Sequence, residues 1–318
     1  MQEEIIEFLK KNKEYVSGEE ISDSLNISRQ ALWKHIQVLK DSGYDIAAIP
    51  HLGYKLESIP DRLFPSEVKY GLNTKIIGNN IHYFDNLVST MDEAMQLALK
   101  GGKEGTLVLA ETQSRGRGRM GRTWNSAKHK GIYMSLILTP QILPNQASIL
   151  TLLAAVSVCE AIKKAFGIEV NIKWPNDILI GHKKLAGILT ELDAELDAVR
   201  FIIIGLGINV NNDSKTLVNG ASSLSEEIGK PLNRVELLQA ILRSLEENYL
   251  LFKRSGPDAV TGKWRHYNST LGKRVRISCH NKHIEGEASD IDSDGALLLR
   301  ADSGIVHKVT SGDVVHCR

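Results

Sequence analysis

One segment of the sequence, Gln113–Ser126, combines residue types that are suited to binding phosphate groups. Its letters, QSRGRGRMGRTWNS, alternate four arginines with three glycines. Glycine lets a backbone bend closely around a ligand, and the guanidinium group of arginine offers paired donors to phosphate oxygens. No Asp or Glu occurs between Thr112 and Cys159, so these charges have no local counterpart. The segment, called the arginine loop below, is therefore predicted to close over a polyphosphate and stabilise negative charge there.

Other interpretations of the arginine loop are weaker. Gly116, Gly118 and Gly121 match the dinucleotide pattern G-x-G-x-x-G, but that pattern needs a strand before it, a helix after it and an acidic residue about 20 positions further on. Here Trp-Asn-Ser and a strand follow, and the acid is missing. A Walker-type loop is absent as well, because the Gly256–Lys263 run has the wrong spacing and ends in Trp264. A disordered basic loop that binds RNA remains an alternative.

Two further segments carry polar residues at the ends of predicted strands. In Lys173–Ile178 (KWPNDI), Pro175 and Asn176 favour a tight turn that projects Lys173, Asn176 and Asp177. The motif KLAGI follows, with Lys184 and Gly187 on the returning strand, so the two together suggest one wall of a pocket. In GLGINVN, glycines and Asn209 end an apolar strand, a place where ligands often bind in sheet proteins.

The elements that must position these segments are a central set of strands and helices. Apolar, β-branched runs predict strands, and a nearly all-apolar run at Ser148–Phe166 predicts a buried helix. Asn233–Lys253 is amphipathic and predicts a second long helix. Because several strands follow one another without helices between them, a mixed sheet is expected rather than a purely parallel one. The predicted strands are Gly105–Ala110, Gly131–Leu138, Val170–Lys173, Lys184–Glu191 and Phe201–Ile208.

Residues 1–60 predict three short helices and a hairpin. Ser17 with Glu20 has the spacing of a capping box, Asn26 closes the second helix, and Ser28 caps a third that runs to Asp41. On the third helix, apolar residues recur at helical spacing and leave a polar and basic outer face, the pattern of a helix-turn-helix. The following Tyr44–Leu56 segment fits the hairpin of a winged variant. The outward residues are Arg29, Gln30, Trp33, Lys34 and Gln37, and the candidate DNA-binding residues are Ser28, Arg29, Gln30, Trp33 and Lys34.

The charge of this N-terminal segment leaves an alternative open. Residues 1–60 contain seven Lys or Arg and ten Asp or Glu, a net charge of −3 that is poor for DNA binding. A small helical interaction module is therefore the competing interpretation. A dimer that presents two recognition helices would offset the acidic charge, since the basic groups lie on the presumed reading face.

The remaining features describe the C-terminal region and the class of protein. Pro60–Pro65 resembles a linker, and the short strands after Leu271, separated by Gly, Asp and Asn turns, predict a small all-β barrel. The start of the chain lacks the basic-then-apolar order of a secretory signal, and the longest apolar stretch is too short to span a membrane. Three scattered cysteines, Cys159, Cys279 and Cys317, suggest neither disulfides nor a zinc site. A cytoplasmic protein is expected.

The arginine loop, KWPND and KLAGI, in this order and together with Ser89–Thr90, resemble the biotin–protein ligases, and the resemblance covers essentially the whole chain. The helix-turn-helix resembles the subgroup that also represses biotin genes. The resemblance implies an α+β fold in three domains: a winged helix-turn-helix at residues 1–62, a catalytic biotin- and ATP-binding domain at 63–268 built on a mixed sheet like that of class II aminoacyl-tRNA synthetases, and an SH3-like β domain at 269–318.

The resemblance also implies a role for each matching residue. Arg117, Arg119, Lys173, Asp177 and Lys184 are implied to be catalytic, with Asp177 orienting Mg²⁺ or the incoming lysine. Met91 stands where a polar residue is common, which implies a contact through its backbone, and Ala127 replaces a frequent proline. The implied biotin-binding residues are Ser89, Thr90, Met91, Gln113, Gly116, Arg117, Gly118, Arg119, Lys184 and Gly187. The implied ATP- and AMP-binding residues are Arg119, Arg122, Trp124, Asn176 and Asn209.

The implied reaction needs ATP and Mg²⁺ and no protein nucleophile. The biotin carboxylate attacks the α-phosphate of ATP to form biotinyl-5′-AMP, and a lysine of a biotin carboxyl carrier protein then takes the biotinyl group. Biotinyl-AMP is further expected to promote a homodimer that binds biotin operator DNA. Two alternatives stay open: a ligand sensor that has lost catalysis, against which Arg117, Arg119, Lys173 and Lys184 together argue, and a ligase for lipoate or another acyl carboxylate.

Overall fold

The structure is a computed structural model that describes residues 1–279 and 282–316. The chain forms two compact units, Met1–Arg62 and a larger unit that begins at Leu63. The change of unit falls within the Pro60–Pro65 segment. The predicted division into three domains, with a boundary at residue 269, stays a prediction.

The N-terminal unit contains three helices and one antiparallel hairpin, as predicted. The side chain of Ser17 accepts a hydrogen bond from the backbone N–H of Glu20, and that of Ser28 from Ala31, each at 3.1 Å, so both predicted N-caps are confirmed. Asn26 ends the second helix in the left-handed conformation. The elements are α1 (Gln2–Lys11), α2 (Gly18–Leu25), α3 (Arg29–Asp41), β1 (Asp45–Ile49) and β2 (Gly53–Ser58).

The elements of the larger unit up to its last helix build a helix-covered sheet. They are α4 (Pro65–Lys69), β3 (Ile81–Phe84), α5 (Thr90–Leu99), β4 (Leu107–Ala110), β5 (Gly116–Arg117), β6 (Thr123–Trp124), β7 (Gly131–Leu138), α6 (Ser148–Phe166), β8 (Asn171–Lys173), β9 (Asp177–Ile180), β10 (Lys183–Ala194), β11 (Val199–Asn209), α7 (Leu224–Ile228), α8 (Arg234–Ser255) and α9 (Asp258–Tyr267).

The main sheet has seven strands in the order β3-β4-β7-β11-β10-β9-β8. Only β3 and β4 pair in parallel, so the predicted mixed sheet is confirmed. Helix α6 has the predicted bounds and is buried along most of its length, because its residues are apolar on nearly every side. Strands β7, β11 and β10 form the centre of the sheet, and the loops at their ends surround the candidate site.

The C-terminal strands form a separate antiparallel sheet, which confirms the all-β prediction for this region. Its order is β15-β14-β13-β12-β16, and the strands are β12 (Arg274–Cys279), β13 (Lys282–Ile291), β14 (Leu297–Arg300), β15 (Val306–Val309) and β16 (Asp313–His316). The buried indole N–H of Trp174 donates to the carbonyl oxygen of Gly295 at 3.1 Å, and the Ser148 hydroxyl donates to that of Asp294 at 2.7 Å. These bonds fix the sheet beside β8 and the start of α6.

Two further expectations concern the cysteines and membrane spans. Cys159 is buried and not in a disulfide, whereas Cys317 and the side chain of Cys279 lie outside the described residues. Across residues 1–279 and 282–316, every helix is too short or too polar to cross a membrane.

Candidate functional site

A cavity of about 340 Å³ opens between the arginine loop and the ends of the central strands. Most of the residues that the sequence nominated line it, although they come from five separate segments of the chain. The nominated residues that line the cavity are Thr90, Met91, Gln113, Arg117, Gly118, Arg119, Arg122, Trp124, Asn176, Asp177, Lys184, Gly187 and Asn209.

The floor of the cavity is the indole ring of Trp124, which lies on a pair of glycines. Gly187 on β10 lies opposite Gly207 on β11 in the antiparallel register. A β-carbon at Gly207 would lie 2.4 Å from Cε2 of Trp124, and one at Gly187 would lie 3.0 Å from Cζ3. The indole therefore lies directly against the backbone of two adjacent strands. Any residue larger than glycine at either position would prevent so close an approach. A flat aromatic surface results, suited to stacking against a planar ring.

A directional chain of hydrogen bonds holds the amide of Gln113 at the inner end of the cavity. The buried Ser135 hydroxyl donates to Oγ1 of Thr90 at 2.9 Å. The backbone N–H and the hydroxyl of Thr90 both donate to Oε1 of Gln113, at 2.8 and 3.1 Å. Nε2 of Gln113 then donates to Oγ of Ser126 at 2.9 Å. The chain sets the orientation of a polar group that can recognise an amide-like ligand.

Three arginines of the loop are already paired with polar groups from distant elements. Arg117 lies between Asp92 on α5, at 2.6 Å, and Glu191 on β10. Arg122 pairs with Asp313 on strand β16. Nη1 of Arg119 donates to Oδ1 of Asn176 at 2.9 Å. These contacts order a loop whose local sequence contains only positive charge, and a phosphate ligand would compete with the carboxylates for the same guanidinium groups.

Lys184 is a cation that lies over the ring of Trp124. Its Nζ is 2.6 Å from Oδ1 of Asp177 and 5.7 Å from the centre of the Trp124 ring. The ring attracts the ammonium group and Asp177 fixes its direction. An ammonium held in this way, next to three arginines, can counter the negative charge that develops in a phosphoryl transfer.

Three nominated residues, Ser89, Gly116 and Lys173, do not line the cavity. Ser89 is the N-cap residue just before α5, and among the described residues its buried hydroxyl has no hydrogen-bond partner. Lys173 ends β8, where its backbone pairs with Asp177 across the turn. Conversely, the sequence did not indicate Asp92, Glu191 or Asp313, because each is far along the chain from the arginine that it pairs with.

The acidic residues of the site do not form a metal cage. Within residues 1–279 and 282–316, no group of three or more His, Cys, Asp or Glu side chains could hold a metal ion. Asp177 is the carboxylate beside Lys184. Mg²⁺ is commonly held by one or two carboxylates together with substrate phosphates, so a single aspartate in a phosphate-binding cavity fits that donor set.

In the N-terminal unit, the structure places the nominated DNA-binding residues on one exposed surface. Ser28, Arg29, Gln30, Trp33 and Lys34 are all exposed, whereas Leu32, Ile36 and Leu39 are buried. Trp33 has 54% of its surface exposed, which is unusual for a tryptophan. Arg29 forms an exposed ion pair with Glu19 on α2 at 3.5 Å. The face combines cationic, amide and apolar groups on one helix, the mixture with which a helix reads a DNA groove.

Family models match three parts of the chain. Residues 83–209 match the model of the biotin/lipoate A/B protein ligase family, residues 1–55 match an HTH domain, and residues 270–317 match the biotin protein ligase C-terminal domain. Because relatives at 42% and 32% identity match it over more than nine-tenths of both chains, the chain belongs to the biotin protein ligase family.

Two of the relatives are the bifunctional ligase/repressors BirA of Bacillus subtilis and Escherichia coli. The Bacillus subtilis protein is 42% identical over 319 residues, which covers 99% of this chain and 98% of the relative. The Escherichia coli protein is 32% identical over 309 residues, or 95% and 93% of the two chains. Among solved structures, the biotin protein ligase from Aquifex aeolicus in complex with biotin and ATP is 29% identical, with a TM-score of 0.64, and covers 76% of this chain and 99% of that one.

Proposed function

We propose that this protein is a biotin–protein ligase that also represses transcription. It activates biotin with ATP to biotinyl-5′-AMP and transfers the biotinyl group to a lysine of a biotin carboxyl carrier protein. The observation that carries the proposal is one cavity that Arg117, Arg119 and Lys184 line together with Trp124, with the Lys184 ammonium over the Trp124 ring. The same cavity lies in a chain that is similar over its full length to bifunctional ligase/repressors.

The first step joins the biotin carboxylate to the α-phosphate of ATP and releases pyrophosphate. Arg117, Arg119, Arg122 and Lys184 counter the charge on the phosphates, and the reaction needs no protein nucleophile. To bind them, the guanidinium groups exchange Asp92, Glu191 and Asp313 for phosphate oxygens. Bound Mg²⁺ would neutralise phosphate charge, and Asp177 is the residue that would hold it.

Biotin and the nucleotide are proposed to occupy different parts of the cavity. The amide of Gln113, oriented by Thr90, is suited to the polar ring system of biotin, and Lys184 to its carboxylate. Trp124, Asn176 and Asn209 are proposed to hold the nucleotide, with the adenine stacked on the indole. The proposed biotin-binding residues are Ser89, Thr90, Met91, Gln113, Gly116, Arg117, Gly118, Arg119, Lys184 and Gly187.

The second step transfers the biotinyl group. The ε-amine of the carrier lysine attacks the carbonyl carbon of biotinyl-AMP, and AMP leaves with the bonding electron pair. Lys173 and Asp177 flank the turn between β8 and β9, and orienting the incoming amine is the alternative to the Mg²⁺ role of Asp177. Closure of the arginine loop shields the labile anhydride from water until the carrier arrives.

The repressor activity is assigned to the exposed face of α3. Ser28, Arg29, Gln30, Trp33 and Lys34 are proposed to contact biotin operator DNA in the major groove, with the β1–β2 hairpin as the wing. A homodimer promoted by biotinyl-AMP would present two such helices to a two-fold operator. Since ATP, carrier protein and DNA share the bacterial cytoplasm, we place the protein there.

Pyrophosphate exchange is the experiment that tests the enzymatic part. Biotin-dependent exchange of labelled pyrophosphate into ATP, followed by transfer of labelled biotin to a lysine of a purified carrier domain, is the expected result. Exchange that depends on lipoate instead of biotin would show that the fold is assigned correctly but that the proposed substrate is wrong. Tight biotin binding without exchange would leave a ligand-sensing repressor.

A further inference from the structure

Outside the candidate-site cavity, an ion pair lies in the core of the larger unit. Glu111 and Arg234 are both fully buried, and Nη1 of Arg234 lies 2.8 Å from Oε2 of Glu111. Burying two charges takes both out of water, and replacing such a pair with apolar residues often leaves stability unchanged or raises it. Stability alone is therefore a poor reason for the pair.

The pair lies at the two ends of the chain segment that carries the arginine loop. Residues 111–130 connect β4, which ends at Ala110, to β7, which begins at Gly131. The same Nη1 of Arg234 that contacts Glu111 also donates to the carbonyl oxygen of Gly131 at 3.0 Å. One guanidinium group at the start of α8 thus holds both ends of the connection that carries the arginine loop.

Other buried contacts converge on the same two ends. Oε1 of Glu111 accepts hydrogen bonds from the backbone N–H of Leu63 at 2.8 Å and from the Tyr83 hydroxyl at 3.3 Å. The Tyr133 hydroxyl donates to the carbonyl oxygen of Ala127 at 3.0 Å. Burial raises the pKa of that phenol, so Tyr133 stays protonated and remains a donor.

We propose that Arg234 and Glu111 are positioning residues that clamp the two ends of the arginine loop and so set where its guanidinium groups meet the phosphates. Neither residue lines the cavity, so they act through the loop. The consequence for catalysis rests on the proposed ligase function, whereas the consequence for loop order does not. When the clamp is lost, the loop samples open positions and the ligands must restore its order on binding.

Trypsin gives a direct measurement of loop order, because it cleaves after Arg115, Arg117, Arg119 and Arg122. The test variant is the full-length double substitution Glu111→Gln/Arg234→Met, which removes both charges together and keeps the acceptor for Leu63 and Tyr83. The control is Glu160→Gln/Lys263→Met, which makes the same kind of change in another 2.8 Å ion pair of this unit, a partly exposed one between α6 and α9.

A hydrogen bond to a charged group is strong enough to change a local opening equilibrium by about tenfold or more. We therefore expect the folded double variant to be cleaved within the loop about tenfold faster than the wild type, and the control variant at the wild-type rate. The KM values for biotin and ATP in pyrophosphate exchange should rise about as much, with a smaller change in kcat. Loop cleavage at the wild-type rate in a folded double variant would overturn the proposal.

A second variant, Arg234→Lys, keeps the test decisive should the double variant fail to fold. Lysine retains the charge, but its side chain is one bond shorter than the path to Nη1 of arginine and reaches Glu111 and the Gly131 carbonyl less well, so cleavage intermediate between wild type and an unclamped loop is expected. An unchanged cleavage rate in this variant would also overturn the clamp. If the wild type shows no pyrophosphate exchange, the ligase function fails while the trypsin comparison still decides whether the clamp exists.

Discussion

Gly207 lies under the indole of Trp124 so closely that a β-carbon there would fall 2.4 Å from Cε2 of the ring. The equivalent distance at Gly187 is 3.0 Å, to Cζ3. The indole therefore has little freedom to move toward the sheet, and the two glycines differ in how much they would tolerate a methyl group.

Gly207→Ala is expected to weaken ligand binding more than Gly187→Ala. Overpacking of this kind costs about 1–3 kcal/mol, enough to reduce biotin and ATP affinity by about ten- to a hundredfold for Gly207→Ala. Titration calorimetry measures the affinities. Gly262→Ala, on an open face of α9, is the control and should leave affinity unchanged. Equal affinity in Gly207→Ala and wild type would contradict the described position of Trp124.

Lys184→Gln is expected to slow formation of biotinyl-AMP by about 10²–10³-fold, the usual effect of removing one group that stabilises transition-state charge. Pre-steady-state measurement of pyrophosphate release isolates this step from transfer to the carrier. The neighbouring Lys183 pairs with Glu227 on α7 and lies outside the cavity lining, so Lys183→Gln is the matched control. A similar loss in both variants would indicate a general charge effect rather than a role for Lys184.

Lys34→Ala is expected to weaken binding to operator DNA and to lower the salt dependence of binding by about one phosphate contact. The measurement is fluorescence anisotropy with biotinyl-AMP present, repeated over a series of salt concentrations. Lys13 is an exposed lysine between α1 and α2, away from α3, and Lys13→Ala serves as the control. An unchanged salt slope for Lys34→Ala would remove that residue from the DNA-binding face.

Glu227 is expected to make the free energy of unfolding depend on pH. The Ser222 hydroxyl, at 2.5 Å, and then Lys183 hold the pKa of Glu227 below its usual value of 4.5. Because the pKa is lower in the folded state, this stabilisation is present above pH 4.5 and is lost as the pH falls through the folded-state pKa. Glu227→Gln should therefore be less stable than wild type at pH 6 but converge with it in strong acid. Urea unfolding across pH 3–7 measures the difference, with the exposed Glu247→Gln as control; a constant difference would contradict the prediction.

Local patterns were sufficient to predict many of the elements. Strand β7 and helix α6 have the predicted bounds, because their apolar runs are long and clearly bounded. Strand β3 was missed, since Ile81–Phe84 is a short, half-buried edge strand with a histidine in it. Helices α5 and α9 were missed as well. Each lies next to a stronger motif, and its packing depends on contacts with distant elements.

In the candidate site too, short sequence motifs could be predicted, whereas contacts between residues far apart in the chain could not. The arginines, glycines and KWPND turn stand out as motifs, and the structure brings most of them to one cavity. Their acidic partners do not stand out, because Asp92, Glu191 and Asp313 are ordinary surface-type residues until the fold places them beside Arg117 and Arg122. The buried pair of Glu111 and Arg234 was missed for the same reason: its members are 123 positions apart.

Gly187 lies opposite Gly207 only in the observed antiparallel register. Ligand binding in the cavity therefore depends on correct pairing of β10 with β11. If β10 slipped by one residue against β11, Ala186 or Ile188 would take the place of Gly187, and a side chain would project where the indole must lie. A molecule with that error would keep its strand content but would lack the Trp124 surface on which a planar ring stacks. The fraction of a preparation that binds ligand is thus also a measure of how much of it has folded in register.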